Sequence, residues 1–203
     1  MSKKPLIVFE GIEGSGKSHH INVVVNKLIK KKIKFIQIRE PGGNKNSERI
    51  RTLILDNKSS FNKNTDLLLY LSARSENIDL IKKNYGKRII LFDRFVDSTI
   101  AYQHYGMGVE IKFIKMINDF LLKNINISFT FLNLVNPKNM KERLFKRKNL
   151  NRYDQFNDNF YKRVQNGFIK IYNKNPKKYM KVDSNLDITD NENMIFNKIE
   201  KLI

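Results

Sequence analysis

The chain has 203 residues, no cysteine, and 39 Lys and Arg against 20 Asp and Glu, for a formal net charge of +19. That length supports one well-buried domain rather than two, and without cysteine there is no disulfide framework and no thiolate metal site, which fits a reducing cytoplasm. The charge would suit a polyanion, yet the lysines are scattered, aromatics do not interleave with them, and the Lys-, Asn- and Ile-rich composition follows the bias of an AT-rich genome, so no specific nucleic-acid partner is expected.

"PLIVFE" reads as a buried parallel strand, not a signal peptide, because it is short and runs straight into a glycine loop with no small-residue cleavage site. Ile21, Val24, Val25, Leu28 and Ile29 then fall at helical spacing. "KIKFIQI" is a second strand, "REPGG" a turn, and Ile50, Leu53 and Ile54 mark a short helix. Asn64 or Thr65 is expected to cap the next helix, which runs to about Lys83. "KRIILFD" is a third strand. Helical stretches follow from about Asp97 and from near Glu110, the latter with Ile111, Ile114, Ile117 and Leu121 on one stripe. "ISFTFLNLV" is a fourth strand, and Pro137 opens a helix to about Lys148. The polar tract 146–159 reads as a mobile lid. Phe160, Val164, Phe168 and Ile171 mark a helix, "YMKV" a fifth strand, and Met194, Ile195, Ile199 and Leu202 a last helix. Strands alternating with helices imply a parallel sheet covered on both faces. No window is apolar and long enough to span a bilayer, so no membrane partner is expected.

Gly11, Gly16, Lys17 and Ser18 satisfy the phosphate-loop pattern G-x-x-x-x-G-K-[ST]. Its physics is specific: backbone N–H groups curl round phosphate oxygens, and the following helix aims its positive end at the same anion. Lys17 can reach the β- and γ-phosphates, and Ser18 can ligand Mg²⁺. A strand before the loop and an amphipathic helix after it are the context the motif requires.

The acceptor is harder to read. Asp93 and Arg94 end the third strand at the carboxyl edge of the sheet, where ligands bind in open α/β folds, and an Arg there can pair with a phosphate. Ser98, Thr99 and Tyr102 share a helical face, with Gln103 adjacent. These could read a base edge or belong to a partly buried polar helix. Tyr70 and Arg74 are four apart and could face one cavity, the ring stacking on a base and the Arg donating to its carbonyl. The alternative is a core-margin Tyr and an ion-paired Arg. His19, His20 and His104 make no metal site.

Taken in order, "FEGIEGSGKS", "REPGG", "LYLSAR", "DRFVDSTIAYQ" and an arginine-bearing lid resemble the thymidylate kinases of the bacterial type, over essentially the whole chain. The resemblance implies a P-loop NTPase-type three-layer sandwich on a five-stranded parallel sheet, with a short lid at about residues 143–157, and transfer of the γ-phosphoryl of ATP to dTMP with Mg²⁺. A cytoplasmic homodimer is also implied. ATP would be held by Gly11, Ile12, Glu13, Gly14, Ser15, Gly16, Lys17 and Ser18. The resemblance sets Glu13 near the acceptor's 3′-hydroxyl, Tyr70 on the thymine face, Arg74 on its carbonyl and Arg94 on the dTMP phosphate, with Asp93 before it in the same motif. It gives Ser98 and Thr99 to the base or sugar, Tyr102 to exclusion of a 2′-hydroxyl, and Pro41 to the pocket wall. The loop carries no arginine, so the lid must supply one: Arg152 is expected first, Arg147 second, with Arg143 on the same helix. A deoxynucleoside kinase or a kinase for another monophosphate, and a basic ATP-dependent nucleic-acid binder, are the competing readings.

Overall fold

In the computed structural model, which describes residues 3–203, the apolar runs become strands β1 (Leu6–Glu10), β2 (Phe35–Arg39), β3 (Ile89–Asp93), β4 (Phe129–Leu134) and β5 (Tyr179–Asp183). They form one parallel sheet in the order β2-β3-β1-β4-β5. β1 is buried along its whole length because helices cover both sheet faces, so it has no polar side to alternate with. Side chains of successive strand residues still go opposite ways. Ile7 and Phe9, with Ile89 and Leu91 of β3, pack on Ile21, Val24 and Leu28 of α1 (Lys17–Lys30) and on Ile195 and Ile199 of α8 (Ile188–Glu200). Leu6 and Val8, with Ile90 and Phe92, pack on Ile78 and Ile81 of α3 (Lys63–Asn84). A third cluster lies beyond β4, where Leu132 meets Val164 and Phe168 of α7 (Asp158–Lys174) and Met140 and Leu144 of α6 (Pro137–Phe145).

Three local differences from the sequence reading have clear causes. The cap of α3 is Asn62, whose side chain accepts from the backbone N–H groups of both Asn64 and Thr65. Asn62, Asn64 and Thr65 are all good capping types, and the chain starts the helix at the first of them. Helix α6 stops at Phe145, short of Lys148, because the next residues turn back so that Arg147 can reach Asp154. The stretch after β3 begins as a short helix α4 (Val96–Thr99) and widens into a π-helical segment, Ile100–Gly106, in which the Met107 N–H donates to the Tyr102 carbonyl five residues back. Such widened turns concentrate at functional sites. This one lies against α7 and carries Tyr102 and Gln103.

The remaining elements are α2 (Lys45–Leu55), α5 (Ile111–Leu121), a 3-10 turn at Arg152–Gln155 between α6 and α7, and another at Pro176–Lys178 before β5. Among the described residues, no helix is long and apolar enough to cross a membrane.

Candidate active site

The loop between β1 and α1 is shaped by close packing. Gly11 has φ 139°, and a Cβ there would fall 2.2 Å from the Asn133 carbonyl oxygen of β4. Only glycine fits both the backbone and the space. The loop then returns on itself: the Ile12 carbonyl accepts from Ser15 Oγ at 2.7 Å and from Lys17 Nζ at 2.8 Å. Burial, and next the charge of Arg94, pull the Lys17 ammonium down to about 7, while Asp93, Glu13 and Glu10 act the other way. The ammonium donates to the Ile12 carbonyl and lies 3.3 Å from Ser15 Oγ, so its hydrogen bonds go to neutral oxygens.

Arg94 follows β3 directly and sits at φ 67°, a left-handed conformation uncommon outside glycine. Strain of this kind clusters where function fixes a side chain. Its Nη1 donates to the Gly11 carbonyl at 2.8 Å, its Nη2 meets Glu13 Oε1 at 2.8 Å, and the guanidinium lies 5.1 Å from the Tyr102 ring centroid. The Tyr102 hydroxyl donates to the other Glu13 oxygen. Burial first holds the Tyr102 phenol well above its ordinary pKa, so it remains a donor.

These groups share a cavity of about 320 Å³, lined by Glu13, Lys17, Ser18, Asp93, Arg94 and Arg147 on the side of the phosphate loop, and by Pro41, Arg51 and Tyr70 opposite. A recess of about 20 Å³ adjoins it, bounded by Glu13, Tyr70, Arg94, Ser98, Tyr102, Gln103 and Tyr153. Its walls are aromatic: Tyr153 meets both Tyr70 and Tyr102 edge-on, each at 5.8 Å between centroids. Arg51 donates to the Pro41 carbonyl at 2.6 Å, which fixes that wall. On the other side of the phosphate loop, a cavity of about 270 Å³ is lined by Gly16, His19, His20 and Arg143, and by Ser184, Leu186 and Ile188 of the segment entering α8. Arg143 ties these parts together by donating to the carbonyls of Gly14 and Ser184 at 2.9 and 2.7 Å.

Ser18 Oγ donates to Asp93 Oδ2 at 3.1 Å. An all-oxygen pair of this kind suits Mg²⁺, which keeps several waters and takes phosphate oxygens as further ligands. Among the described residues, no group of three His, Cys, Asp or Glu could hold a metal without such help.

Three residues lie differently from the sequence expectation. Arg74 is only 1 % exposed and lines neither cavity. Its guanidinium donates to Glu40 at 2.8 Å, Asn118 at 2.5 Å and Thr99 at 3.0 Å. Thr99 is thereby turned to Arg74 and is itself absent from the lining. Arg152 is held by Asp66 and by the Ile54 carbonyl, against a different cavity, whereas Arg147 lines the one that holds Lys17.

Several residues in or behind the site carried no usable signal in the sequence. Glu10 is fully buried and accepts from the N–H groups of Phe95 and Ser98 and from the Ser98 hydroxyl, which anchors the segment behind Arg94. Burial raises its pKa, against those bonds. Arg51, Asp66 and Tyr153 stand in no motif or spacing that marks them in the sequence. Tyr153 is one of three aromatics in the lid, with Phe145 and Phe156, and nothing in the sequence sets it apart from them.

The chain matches the family described as Thymidylate kinase over residues 9–195. It is 39% identical to the thymidylate kinase of Thermosipho africanus over 81% of this chain and 83% of that one, and 35% identical to that of Lactobacillus helveticus over 96% and 95%. The solved thymidylate kinase from Ehrlichia chaffeensis superposes with a TM-score of 0.78 at 28% identity, over 98% of this chain and 99% of that one. A phosphate loop facing a cationic strand end, with an aromatic recess beside it, thus occurs in a chain that belongs to the thymidylate kinase family.

Proposed function

We infer that the chain transfers the γ-phosphoryl group of ATP to dTMP, giving dTDP and ADP. The observation that carries this is the single cavity in which Lys17 and Ser18 face Arg94 and Arg147, with the tyrosine-lined recess opening beside it. An oxygen of the dTMP phosphate attacks the γ-phosphorus, and the bond from that phosphorus to the β–γ bridging oxygen breaks. The acceptor phosphate has a second pKa of about 6 and is largely anionic at neutral pH, so no strong general base is required. The obstacle is bringing two anions together in line, and the residues meet it by positioning and charge.

The residue roles follow. Lys17 and the loop N–H groups from Gly11 to Ser18 bind the β- and γ-phosphates. Arg94 grips the acceptor phosphate after exchanging Glu13 for it, and Glu13 then faces the sugar. Tyr70 stacks on the base, Tyr102 closes the space a 2′-hydroxyl would need, and Ser98, Gln103 and Pro41 complete the slot. Arg74, committed to Glu40, Asn118 and Thr99, supports the wall behind Tyr70. Arg147 is the lid arginine that reaches the transferred group. The nucleoside end of ATP lies in the cavity between Arg143 and the segment 184–188. Ser18 and Asp93 would hold Mg²⁺, which when bound neutralises phosphate charge. Residues 143–157 serve as the lid of one kinase domain.

A homodimer fits the surface, and a cytoplasmic location fits the cysteine-free sequence. Phe113, Met116 and Phe120 of α5 and Leu68 of α3 are exposed on two helices that pack together through Leu67, Leu71 and Ile114. A second copy of the chain would cover them.

The test is to incubate purified protein with ATP, Mg²⁺ and each of dTMP, dUMP, dCMP, dGMP, AMP and thymidine. Formation of dTDP with dTMP as the best acceptor is expected. Thymidine as the best acceptor would make the chain a nucleoside kinase instead.

A further inference from the structure

Asp66 sits in the first turn of α3, is 1 % exposed, and lines neither the phosphate cavity nor the recess. A buried carboxylate persists only when its oxygens are fully partnered. Here the partners come from two segments far away in sequence. Arg152 Nη2 donates to Oδ1, while the Tyr153 hydroxyl and Gln103 Nε2, the latter at 3.0 Å, donate to Oδ2. Gln103 Nε2 also lies 3.2 Å from the Tyr153 hydroxyl, so the π-helical segment, α3 and the lid turn meet on one side chain. Further bonds reinforce the seam: Arg152 Nε donates to the Ile54 carbonyl at 3.0 Å and Asn57 Nδ2 to the Leu150 carbonyl at 3.0 Å.

The turn passes this fixation on to the reacting end. Asp154 is bound by the Asn151 N–H at 3.0 Å, and its other oxygen accepts from Arg147 Nη1 at 2.7 Å. The Asp154 side chain is fully buried, whereas that of Arg147 is 42% exposed and borders the phosphate cavity. From Asp66 to Arg147 the path is therefore one short turn with two buried carboxylates.

We propose that Asp66 is a positioning residue for phosphoryl transfer: it clamps the lid turn onto α3, seats Tyr153 at the recess, and through Asp154 aims Arg147 at the phosphates. This rests on the thymidylate kinase reading for its chemistry, but the clamp itself is a statement about lid attachment. Opening the lid would strip Asp66 of Arg152 and of the Tyr153 hydroxyl and leave Gln103 as its remaining partner, so the closed arrangement is the one the buried charge favours.

Two measurements test it. In Asp66→Asn, which keeps size and loses charge, amide hydrogen exchange over residues 147–157 should quicken by about tenfold or more, while protection in β1 and β3 is retained. In steady state, kcat should fall by about tenfold with little change in KM for ATP, Asp66→Glu should recover part of the loss, and combining Asp66→Asn with Arg147→Ala should cost little beyond Arg147→Ala alone. Should Asp66→Asn fold poorly, Tyr153→Phe and Arg152→Lys weaken the same seam from the lid side and should quicken the same exchange. Unchanged lid exchange in the folded variants overturns the clamp whether or not the protein makes dTDP. Losses that multiply in the double variant overturn its link to Arg147. Wild-type protein that makes no dTDP would instead sink the functional reading, leaving the exchange result to decide the clamp.

Discussion

Arg94 Nη2 meets Glu13 Oε1 at 2.8 Å, while the Tyr102 hydroxyl occupies the other oxygen of the same carboxylate. The arginine proposed to hold the acceptor phosphate thus rests on a carboxylate in this arrangement. Arg94→Lys keeps the charge but loses the paired N–H geometry. Given about 1.5–3 kcal/mol for a charged hydrogen bond, kcat/KM for dTMP is expected to fall by roughly 10²-fold. KM for ATP should barely move. A variant in which both substrates weaken equally would take Arg94 off the acceptor.

The lid arginines differ in what they touch, and so should their variants. Arg147 borders the phosphate cavity and Arg152 does not. Arg147→Ala is expected to lower kcat by about 10³-fold, the scale of an arginine that neutralises transferring charge. Arg152→Ala should cost less in kcat. If the order came out reversed in single-turnover measurements, the transfer role would return to Arg152.

Lys17 gives a pH signature. Burial first and Arg94 second lower its pKa to about 7 in the unliganded protein, so above that pH the lysine is largely neutral before ATP arrives. A polyphosphate favours the charged form, so binding must take up a proton. Affinity for ATP should therefore weaken as pH rises above neutrality, by up to about tenfold per unit. Calorimetry at about pH 8 in buffers of different ionisation enthalpy should detect the uptake. Lys17→Ala should abolish it, together with nearly all turnover. Proton release on binding would contradict the assignment.

Asp97 gives a signature in stability. It accepts from the Tyr179 hydroxyl at 2.8 Å, and burial first, then Glu10, raise its pKa above the ordinary aspartate value. The folded state thus holds this proton more tightly than the unfolded chain. Its contribution to stability is present at low pH and is lost as pH rises from about 4 toward the raised value. Asp97→Asn keeps an acceptor for Tyr179 and removes the titration. Its Tm advantage over the wild type is expected to be larger at about pH 8 than at about pH 5. An advantage that shrinks with pH would show that Asp97 is stabilised as an anion.

The sheet and the phosphate loop were legible because their signals are local. Apolar runs bounded by Gly, Pro and Lys clusters give strands, and the loop pattern needs only eight consecutive residues. What could not be read from the sequence depends on distant partners. Tyr70 and Arg74 are one helical turn apart, which is why they suggest one ligand. Yet the fate of Arg74 is set by Glu40, 34 residues away, and Asn118, 44 residues away. Arg152 and Arg147 are equally basic in sequence, and only the fold brings Asp66 to one and the phosphate cavity to the other. The π-helical widening at Tyr102 has no periodic signature, since α-helical spacing already accounts for Ser98 and Tyr102.

The strand order has a consequence for how this scaffold can change. The chain builds β2 and β3 on one flank of β1, then crosses over to lay β4 and β5 on the other. Pro41, Tyr70, Arg94 and Ser98 all arise from the first flank, while Arg143, Ser184 and Ile188 arise from the second. In the proposed reading most donor and acceptor contacts are thus divided between the flanks, while Arg147 and Tyr153 of the second flank reach across to the phosphate cavity and the recess. A lineage that exchanged the nucleobase it accepts would alter residues 40–106 together with the lid position of Tyr153, because that ring crosses from the other flank to meet Tyr70 and Tyr102.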